Sequence, residues 1–513
     1  MAKKYLLALD SGIGGGRCVL VDLEGNEVGS AYQEWTYIYP EGVPGGVEFD
    51  PDNLWGILCS QIRKAVSDAK IAPSDVVSVS ATAQREAQVY FDEEREIFAC
   101  PCNDTRAMNE SLELGRKYGE RIYRITSRFW NSGVERLLWF KRHKPEVFKS
   151  IRAVLIMSDW MLYRFSGEFS AEPSNASNSG VFDVTKREWS KELLDLLGLP
   201  LDVWPEVHRS GDQIGEITSK AERETGLKRG TPVVAGGGDA QCGSLGTATV
   251  ENGQIAAIAG TTTPIEMVID KAIIDGEMKT NTNCHVVPDK WVLESNAGAS
   301  GIIYRYFRDS FGHLEKLLGE ELGVSAYQLL DQEAARVPPG AGGLFAFLAS
   351  HVPGIEPNPP ASILGLKPGG MSTLTTGRKE IGRAILENVC YGVRANIENI
   401  ERASGIEIGE LRLCGGESRS RLWTQIQADV LGKPVWIPKV SEATSFGAII
   451  CAGVGAGYYD SVIGAAKELV KCERVVQPDP KMHETYDILF DKWKRIYEKL
   501  SEIVKENLVG PVY

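Results

Sequence analysis

The chain has 513 residues, 43% of them hydrophobic and 24% charged, and it carries a formal net charge of −13 at pH 7. This length exceeds what one hydrophobic core supports, so we expect at least two domains. The negative charge argues against a nucleic-acid or anionic-membrane partner, since both require a basic surface. No apolar run is long enough to span a bilayer, and the first one is interrupted at Asp10, so we expect a cytoplasmic location.

The ten cysteines are scattered, and no pair has the spacing of one half of a zinc site with a second half elsewhere. We therefore expect buried apolar thiols in a reducing compartment. The six histidines stand singly, and we assign none of them to a metal.

The chain opens with an apolar strand over residues 5–9, a glycine-rich turn that begins at Asp10, and a second strand over residues 18–23. Backbone N–H groups of a glycine-rich turn can converge on an anion. An acid in that turn suits a phosphate that arrives with Mg²⁺. An ordinary glycine-rich hairpin is the alternative, and matching turns further along the chain would decide between the two.

The first half then alternates helical and strand patterns, which predicts α/β layers. The periodicity predicts helices over 52–69, with Asp50 or Asp52 as the cap, and over 137–143. It predicts strands over 76–81 and 89–91, and a short buried strand or helix segment over 153–157. Residues 232–235 lead into three glycines and Asp239, and a polar break follows at 251–253. We place the domain boundary there, which gives domains 1–250 and 251–513.

The second half repeats the opening pattern. A strand over 255–259 meets the turn Gly260-Thr261-Thr262, and residues 265–269 continue as a strand, which predicts two related halves. Further elements follow: a helix over 381–401, a strand over 411–414 and a helix over 421–431 that stops at Gly432.

Asp239 is the strongest catalytic candidate among the residues of these turns. The three glycines before it leave the carboxylate exposed at the end of a strand, where it could accept a proton from a hydroxyl that attacks phosphorus. It could also hold Mg²⁺ through water. The alternative is a helix N-cap, because the pattern after Asp239 predicts a helix.

The other polar turns are ambiguous when taken singly. Gly260-Thr261-Thr262 could hold phosphate oxygens, and Gly415-Gly416 lies between a strand and a helix, where a nucleoside can meet a helix N-terminus. Small residues around Thr444 permit close packing on a flat ligand or on another helix. Arg85-Glu86 and Asp104 could grip polyol hydroxyls, although surface charge pairs would look the same.

No phosphate-binding loop of the G-x-x-x-x-G-K-[ST] type and no protein-kinase signature is present. Instead, the order of the turns along nearly the whole chain resembles that of the FGGY carbohydrate kinases. The segments that carry this resemblance are Asp10-Ser11-Gly12, Gln84-Arg85-Glu86, Asp104-Thr105-Arg106, 236–239, Gly260-Thr261-Thr262, Gly415-Gly416 and Glu442-Ala443-Thr444.

The resemblance implies an α/β fold with two actin-like ATPase (ribonuclease H-like) domains, each a mixed sheet flanked by helices, with an interdomain cleft. It implies transfer of the γ-phosphoryl group of ATP, with Mg²⁺, to a hydroxyl of a small sugar, polyol or autoinducer-2-like dione. Within the family, the autoinducer-2 kinases are the most similar branch. The stretches that are similar to them are Met157-Ser158-Asp159-Trp160, Pro173-Ser174-Asn175-Ala176, Pro434-Val435-Trp436-Ile437-Pro438 and the tail around 478–486.

The resemblance also implies roles for single residues. Asp239 would be the general base and, with Asp10, would hold the metal. The nucleotide side would consist of Ser11, Gly12, Gly14, Gly260, Thr261 and Thr262 at the phosphates and of Gly415, Gly416 and Thr444 at the adenosine. The sugar side would consist of Arg85, Glu86, Asp104, Trp130 and Asp239.

Two positions depart from the family pattern. Ile13 stands where the first phosphate turn usually has threonine, and Glu417 stands where the adenosine turn usually has a third glycine. Both departures could weaken ATP binding, which leaves a catalytically weak sugar- and nucleotide-binding sensor as an alternative from another class. A xylulose, ribulose or glycerol kinase is the alternative within the family, and a homodimer is compatible with the sequence.

Overall fold

The computed structural model describes residues 3–128, 133–369 and 375–511, and it divides into two compact units. Unit 1 consists of the chain through Asn252 together with Val268–Leu293 and Glu442–Lys471. Unit 2 consists of Gly253–Met267, Glu294–Ser441 and the chain from Cys472 onward. The predicted domains, 1–250 and 251–513, are single segments, whereas each unit consists of several segments of the chain. The two predicted domains stay a prediction.

The first half of the chain contains eleven strands among the described residues: β1 (Tyr5–Ser11), β2 (Gly15–Asp22), β3 (Glu27–Glu34), β4 (Val76–Ala83), β5 (Gln88–Phe91), β6 (Glu96–Cys100), β7 (Ala153–Ile156), β8 (Phe182–Asp183), β9 (Glu188–Trp189), β10 (Gln213–Glu216) and β11 (Pro232–Gly238). Its helices are α1 (Pro51–Asp68), α2 (Met108–Thr126), α3 (Val134–His143), α4 (Pro145–Ser150), α5 (Met157–Ser166), α6 (Pro173–Ala176), α7 (Lys191–Leu197), α8 (Ser219–Thr225) and α9 (Asp239–Gly246).

The second half continues with strands β12 (Ile255–Ala259), β13 (Thr262–Ile269), β14 (Asn281–Cys284), β15 (Trp291–Ala299), β16 (Phe345–Phe347), β17 (Ser362–Leu364), β18 (Leu411–Gly415), β19 (Val435–Pro438) and β20 (Cys472–Val476). Its helices are α10 (Gly301–Phe311), α11 (His313–Leu322), α12 (Ala326–Ala335), α13 (Arg378–Ser404), α14 (Arg421–Leu431), α15 (Ala443–Gly455), α16 (Val462–Leu469) and α17 (Pro480–Lys505).

The main sheet of unit 1 has the strand order β10-β11-β4-β1-β2-β3. Strands β1, β4 and β11 are parallel to one another, and β1 forms an antiparallel hairpin with β2. Helix α1 covers this sheet with Leu54, Leu58 and Ile62, all of them buried at the predicted spacing of four, and Asp50 caps its N-terminus as predicted. The central strands β1 and β4 are almost fully buried because helices cover the sheet, whereas the edge strands β3 and β10 are mostly exposed or half-buried.

The second large sheet has the order β14-β15-β13-β12-β18-β19-β20. Its central strands repeat the pattern of the first sheet: β12 pairs antiparallel with β13 and parallel with β18, which in turn pairs parallel with β19. In each sheet an antiparallel strand lies beside the outermost parallel strand: β10 beside β11, and β20 beside β19. The repeat that the sequence predicted is thus present as a shared topology.

Several predicted boundaries shift in the structure. Strands β1 and β2 extend into the glycine-rich turn, which leaves only residues 12–14 between them. The three glycines before Asp239 belong to β11 rather than to a turn, and Asp239 is the first residue of α9, with Gly238 in the N-cap position. The predicted helix over 421–431 is confirmed at both ends. Trp130 lies outside the described residues.

All ten cysteines carry free thiols, and eight of them are buried, as the sequence predicted. Within the part of the chain that the structure describes, no helix has the length and apolar character needed to cross a bilayer. Across residues 3–128, 133–369 and 375–511, no group of three or more His, Cys, Asp or Glu side chains is arranged to hold a metal ion.

Helix α15 belongs to unit 1 because it crosses α9 at two glycines. A Cβ atom added to Gly246 would lie 1.9 Å from the Ala443 carbonyl oxygen, and one added to Gly447 would lie 2.0 Å from the Cys242 carbonyl oxygen. The two backbones are therefore in direct contact, and neither position has room for a side chain. This crossing brings residues from the end of the chain into the N-terminal unit.

We predict that Gly447→Ala destabilises the protein by about 1–3 kcal/mol or more, because the new methyl group overlaps a backbone carbonyl. Gly56→Ala is the matched control. Gly56 lies exposed within α1 with no atom in reach of an added Cβ, so alanine there should stabilise by about 0.5–1 kcal/mol. Thermal unfolding of both variants measures the difference, and equal midpoints would contradict the close crossing.

Candidate active site

The candidate site in unit 1 lies at the carboxyl ends of three parallel strands. Asp10 on β1 is in register with Thr82 on β4, and Gly237 on β11 is in register with the same threonine. Because parallel strands end at the same edge of a sheet, Asp10, the turn after β4 and Asp239 are brought together there. The structure thus collects at one edge three segments that lie up to 229 positions apart in the chain.

The turn after β4 provides charged groups next to Asp239. The Arg85 Nε atom lies 3.5 Å from Asp239 Oδ1, and the Arg85 side chain is only 10% exposed, whereas that of Asp239 is 42% exposed. Glu86 accepts a hydrogen bond of 2.8 Å from Arg128 Nη2. This edge of the sheet therefore offers hydrogen-bond donors and acceptors side by side, as recognition of a polyol requires.

Asp104 lies deeper in the protein than the sequence suggested. Its side chain is fully buried and accepts hydrogen bonds from Arg106 Nε, Arg136 Nε and the backbone N–H of Val47 at 2.8–3.1 Å. Arg136 in turn donates to the Glu86 carbonyl oxygen at 2.7 Å. In this structure Asp104 therefore holds two arginines beside the turn after β4, and direct sugar binding by Asp104 stays a prediction.

Asp10 is placed where its ionisation is costly. Burial, and to a smaller extent the nearby Asp239 carboxylate, raise its pKa to about 7. Two groups oppose that rise: Arg17, which forms an ion pair of 2.5 Å with Glu442, and Ser445, which donates a hydrogen bond of 3.2 Å to Asp10 Oδ2. An acidic pair that cannot ionise freely is a favourable place for a cation.

We predict that Asp10→Asn gains stability relative to the wild type as the pH rises from about 4 to 7. In the wild type, the folded chain keeps a proton on Asp10 up to about pH 7, whereas the unfolded chain releases it near the ordinary aspartate pKa of 3.8. The free energy of unfolding of the wild type therefore falls as the pH rises through this window, whereas the asparagine variant has no such loss. Thermal midpoints measured with a chelator at pH 5 and pH 8 test this, and parallel pH profiles would contradict it.

The turn between β1 and β2 is fixed through its carbonyl groups. The Ile13 carbonyl oxygen accepts hydrogen bonds from Trp35 Nε1 at 3.1 Å and from the Tyr37 hydroxyl at 2.6 Å, and the Gly12 carbonyl oxygen accepts from Gln84 Nε2 at 3.2 Å. The Gly14 carbonyl oxygen accepts from a backbone N–H as well. Because these oxygens already have donors within the protein, they are not left to repel an approaching phosphate.

The side chains of this turn differ in accessibility. Ile13 is 42% exposed at its tip, and Gly14 beside it is exposed. Ser11 is buried, and its hydroxyl donates to Met157 Sδ at 3.2 Å, so a contact of Ser11 with a nucleotide would have to use the backbone.

A buried carboxylate behind β11 holds the strand end that carries Asp239. Glu172 accepts hydrogen bonds from the backbone N–H groups of Ser174 and Asn175, from the Ser174 hydroxyl and from the Ser210 hydroxyl. The Ser174 oxygen accepts in turn from the N–H of Gly238, at 2.9 Å. Burial raises the pKa of Glu172, and its four donors oppose that rise. The chain Glu172–Ser174–Gly238 thus ends one residue before Asp239.

The sequence pointed to this chain of hydrogen bonds only through the resemblance of Pro173-Ser174-Asn175-Ala176 to one branch of the family. Asp159 lies beside Glu172, and burial raises its pKa well above the ordinary range. No pattern of spacing linked residues 159, 172 and 238, because they meet only through tertiary packing.

We predict that Ser174→Ala increases hydrogen exchange at the Gly238 amide by about tenfold, because that amide loses its acceptor, a loss of about 1 kcal/mol or more. Ser210→Ala is the matched control. It removes one hydrogen bond to the same Glu172 carboxylate but none to Gly238. Exchange measured by mass spectrometry on peptides that cover β11 separates the two, and an equal increase in both variants would contradict the connection.

Unit 2 contains a cavity of about 640 Å³ at the corresponding edge of its sheet. The predicted residues Gly260, Thr261 and Gly416 line it. An aromatic cluster forms one wall: the Tyr304 ring stacks on Tyr327 with centroids 5.4 Å apart, and Trp423 meets it edge-on at 5.4 Å. A cavity of this size with an aromatic wall and a few polar groups is typical of a small-molecule site.

The turn residues of unit 2 lie where two parallel strands end. Ala259 on β12 is in register with Gly415 on β18, whose φ of +89° favours glycine, and a Cβ there would lie 2.2 Å from the Ala259 carbonyl oxygen. The carbonyl oxygen of Gly260 accepts from the N–H of Gly301 at 3.1 Å, so the start of α10 holds the turn. Thr261 and Thr262 are exposed there.

Glu417, which stands where the family pattern has a third glycine, is a buried residue of this cavity. Its side chain lines the same cavity, is 2% exposed, and has no hydrogen-bond partner for either oxygen among the described residues. Burial raises the pKa of Glu417 to about 8, so at neutral pH the group is mostly protonated. It therefore adds much less negative charge to the cavity than the sequence suggested.

Thr444 belongs to a different unit from the other predicted adenosine residues, and its role stays a prediction. It lies in the first turn of α15, within unit 1, next to the Ser445 that donates to Asp10, whereas Gly415 and Gly416 belong to unit 2. The aromatic residues Tyr304, Tyr327 and Trp423 were not predicted. In the sequence they stand only as aromatic residues at helical spacing, and aromatic residues of a hydrophobic core show the same spacing.

Comparison with known proteins identifies both halves of the chain. Residues 5–246 match the model of the FGGY family of carbohydrate kinases, N-terminal domain, and residues 255–456 match the model of the C-terminal domain of that family. Autoinducer-2 kinase from Escherichia coli (strain K12) is 37% identical over an alignment of 521 positions, which covers 100% of this chain and 97% of that protein.

Solved structures agree with this chain in fold. Xylulose kinase from Lactobacillus acidophilus, in a ligand-bound crystal structure, superposes with a TM-score of 0.85 at 20% identity, over 97% of this chain and 98% of that one. Plasmodium falciparum glycerol kinase with ADP superposes with a TM-score of 0.82 at 19% identity, over 96% and 98% of the two chains. These matches confirm the predicted α/β architecture of two mixed-sheet domains flanked by helices, the actin-like ATPase fold.

Proposed function

Because this chain belongs to the FGGY family of carbohydrate kinases, we propose that it phosphorylates an autoinducer-2-like dione, with ATP as the phosphoryl donor. The full-length identity of 37% with an autoinducer-2 kinase supports this acceptor. The convergence of Asp10, Arg85 and Asp239 at one sheet edge supports phosphoryl transfer to a hydroxyl. Use of ATP also supports a cytoplasmic location.

Asp239 acts as the general base in this proposal. Its carboxylate accepts the proton of the acceptor hydroxyl while that oxygen forms a bond to the γ-phosphorus. The bond between the γ-phosphorus and the bridging oxygen breaks, and ADP leaves with the electron pair. The exposed Asp239 side chain and its contact with the nearly buried Arg85 support this role, because the base must reach the substrate from a fixed position.

The acceptor occupies the edge beside the turn after β4. Arg85 and the Arg128–Glu86 pair present both donors and acceptors, which suits hydroxyl and carbonyl groups of a small sugar-like molecule. Asp104 and Arg136 act from behind by fixing that turn. Trp130 belongs to the same proposal, on the basis of family resemblance alone.

Mg²⁺ fits the oxygen donors of this edge. It usually binds through one or two carboxylates together with substrate phosphates, and Asp10 and Asp239 are two carboxylates close enough to influence each other. When bound, the metal supplies positive charge to the transferring phosphoryl group. Its presence would also favour the ionised form of Asp10, whose proton burial otherwise retains.

ATP occupies two sets of turns in this proposal. The backbone of Gly12 and Gly14 in unit 1, and Gly260, Thr261 and Thr262 in unit 2, contact the phosphates. The adenosine enters the cavity beside Gly415 and Gly416, where the aromatic wall of unit 2 supports binding of a flat purine. Thr444 contributes from the start of α15.

A sensor without transferase activity is the second candidate, motivated by Ile13 and Glu417. At both positions the structure gives less reason to expect impaired ATP binding. The backbone of the first turn is held without the missing threonine hydroxyl, and Glu417 is mostly neutral. A kinase is therefore the better supported function.

We predict that Asp239→Asn lowers kcat by about 10²–10⁴-fold while sugar binding and thermal stability are retained, because the amide keeps the shape but accepts no proton. Asp289→Asn is the matched control. It also removes a carboxylate that faces arginines, at 3.7 and 3.8 Å, elsewhere in unit 1. Turnover of the Asp239 variant at the wild-type rate would remove this residue from the mechanism.

The substrate assignment is tested by ADP release with a panel of acceptors: the dione, xylulose, ribulose and glycerol. We expect the highest kcat/KM for the dione. A higher value for a pentulose or glycerol would reassign the acceptor within the family. Saturable binding of ATP and an acceptor without ADP release would instead favour the sensor.

A further inference from the structure

Gln84 is a buried amide at the sheet edge that holds the candidate site of unit 1. It follows the last residue of β4 and directly precedes Arg85, and it is 3% exposed. Its backbone N–H donates to the Ser11 carbonyl oxygen at 2.9 Å, and both polar atoms of its side chain have hydrogen-bond partners as well. Burial of an amide is costly unless both ends are bonded, so this side chain is held in one arrangement.

The two ends of the amide contact two different parts of the chain. The Nε2 atom donates to the Gly12 carbonyl oxygen at 3.2 Å, in the turn over residues 12–14, which we call the first turn. The Oε1 atom accepts from the backbone N–H of Cys102 at 3.0 Å, in residues 101–104 between β6 and α2, which we call the β6–α2 segment. Because a carbonyl oxygen only accepts and a backbone N–H only donates, the amide has one possible orientation, and in it Gln84 joins the two segments.

The β6–α2 segment lies on the side of the site that we assign to the acceptor. Arg136 donates through Nη2 to the Cys102 carbonyl oxygen at 3.1 Å and through Nη1 to the Glu86 carbonyl oxygen at 2.7 Å. Burial raises the pKa of the Cys102 thiol, and the carboxylates of Glu86 and Asp239 raise this pKa as well. Cys102 is therefore near both acids, and Gln84 connects the first turn to the surroundings of the acceptor.

We propose that Gln84 is a positioning residue for phosphoryl transfer, which fixes the spacing between the first turn and the β6–α2 segment. This inference rests on the proposed function, which assigns the first turn to the phosphates of ATP and the neighbouring edge to the acceptor. The attacking oxygen and the phosphorus must be held about 3–3.5 Å apart and in line, and a misplacement of about 1 Å can cost about 10²-fold in rate. Because Gln84 is buried, it acts through the backbones of Gly12 and Cys102.

The first test replaces the amide by a side chain of similar length. Gln84→Met suits the contact with Met157, whose Sδ lies 3.5 Å from Gln84 Nε2, but it can neither donate to Gly12 nor accept from Cys102. We expect kcat to fall about 10–100-fold, while KM for ATP and for the acceptor each change by less than about threefold, because both binding segments remain but their spacing is lost. Water then competes with the misplaced acceptor, so the amount of ADP released per phosphorylated acceptor rises above one.

Gln61→Met is the matched control. Gln61 is also 3% exposed and belongs to unit 1, where its Nε2 atom donates to Gln33 Oε1 at 2.9 Å, away from the two joined segments. Loss of folded protein alone would lower kcat in either variant, but it would leave the ratio of ADP to phosphorylated acceptor at one. An unchanged kcat and ratio in Gln84→Met, or an equal rise of the ratio in both variants, would overturn this inference and leave the proposed function in place.

The second test uses Gln84→Glu to restore the two hydrogen bonds by protonation. A neutral carboxyl group donates through its O–H and accepts through its C=O, as the amide does, whereas a carboxylate repels the Gly12 carbonyl oxygen. Burial at this position raises the pKa of the new carboxyl group, so we expect kcat of Gln84→Glu relative to that of Gln84→Met to rise about tenfold from pH 8 to pH 5.5. Both variants retain the same titratable groups around this position: Asp10, Tyr37, Arg85, Glu86 and Cys102.

Thermal midpoints measured at each pH show that the variants are folded. Should Gln84→Met fail to fold, the kcat of Gln84→Glu relative to the wild type over the same pH range decides in its place. A ratio that stays constant with pH would exclude the donor and acceptor pair of residue 84 as the cause of the effect, and the inference would fall.

Discussion

Parallel pairing of β1, β4 and β11 is the constraint on which the candidate site depends. Each strand contributes little chemistry by itself: one acid in a glycine-rich hairpin, one charged turn and one acid at a helix start. Hydrogen-bond register aligns Asp10 and Gly237 with Thr82, so the strand ends, and the groups on them, meet at one edge. Glycine is required at 236–238 because β11 lies too close to its neighbours for side chains there. A Cβ added to Gly236, for example, would lie 2.0 Å from the Ala81 carbonyl oxygen.

Buried carboxylates behind this edge hold the neighbouring residues in place. Asp104 and Glu172 are both buried, and each accepts several hydrogen bonds from arginines, hydroxyls or backbone N–H groups. Desolvation of such groups is costly unless every acceptor is satisfied, so the partners are held in one arrangement. The exposed Asp239 carboxylate is thereby supported by residues that do not themselves reach the surface. Glu417 differs from them, because its carboxyl has no hydrogen-bond partner among the described residues and burial favours its neutral form.

Helix α11 shows how tertiary contacts can override amphipathic pattern. Its leucines have the spacing of a core-facing stripe, and a sequence pattern would place them inside. Instead, Glu315, which pairs with Arg378 at 2.6 Å, and Gly319 are the buried residues of this helix, and the leucines lie exposed.

The sequence by itself determined the element types, the repeat of strand, turn and strand, and the family, because these depend on local periodicity and on short motifs in a fixed order. Asp239 and Arg85 were predicted as site residues in this way. Only the tertiary structure decided which groups meet: that Asp104 is satisfied by two arginines, that Glu172 reaches Gly238 through Ser174, and that α15 returns to the N-terminal unit. Such contacts join residues tens to hundreds of positions apart, and they arise from packing of whole elements, which no local spacing encodes.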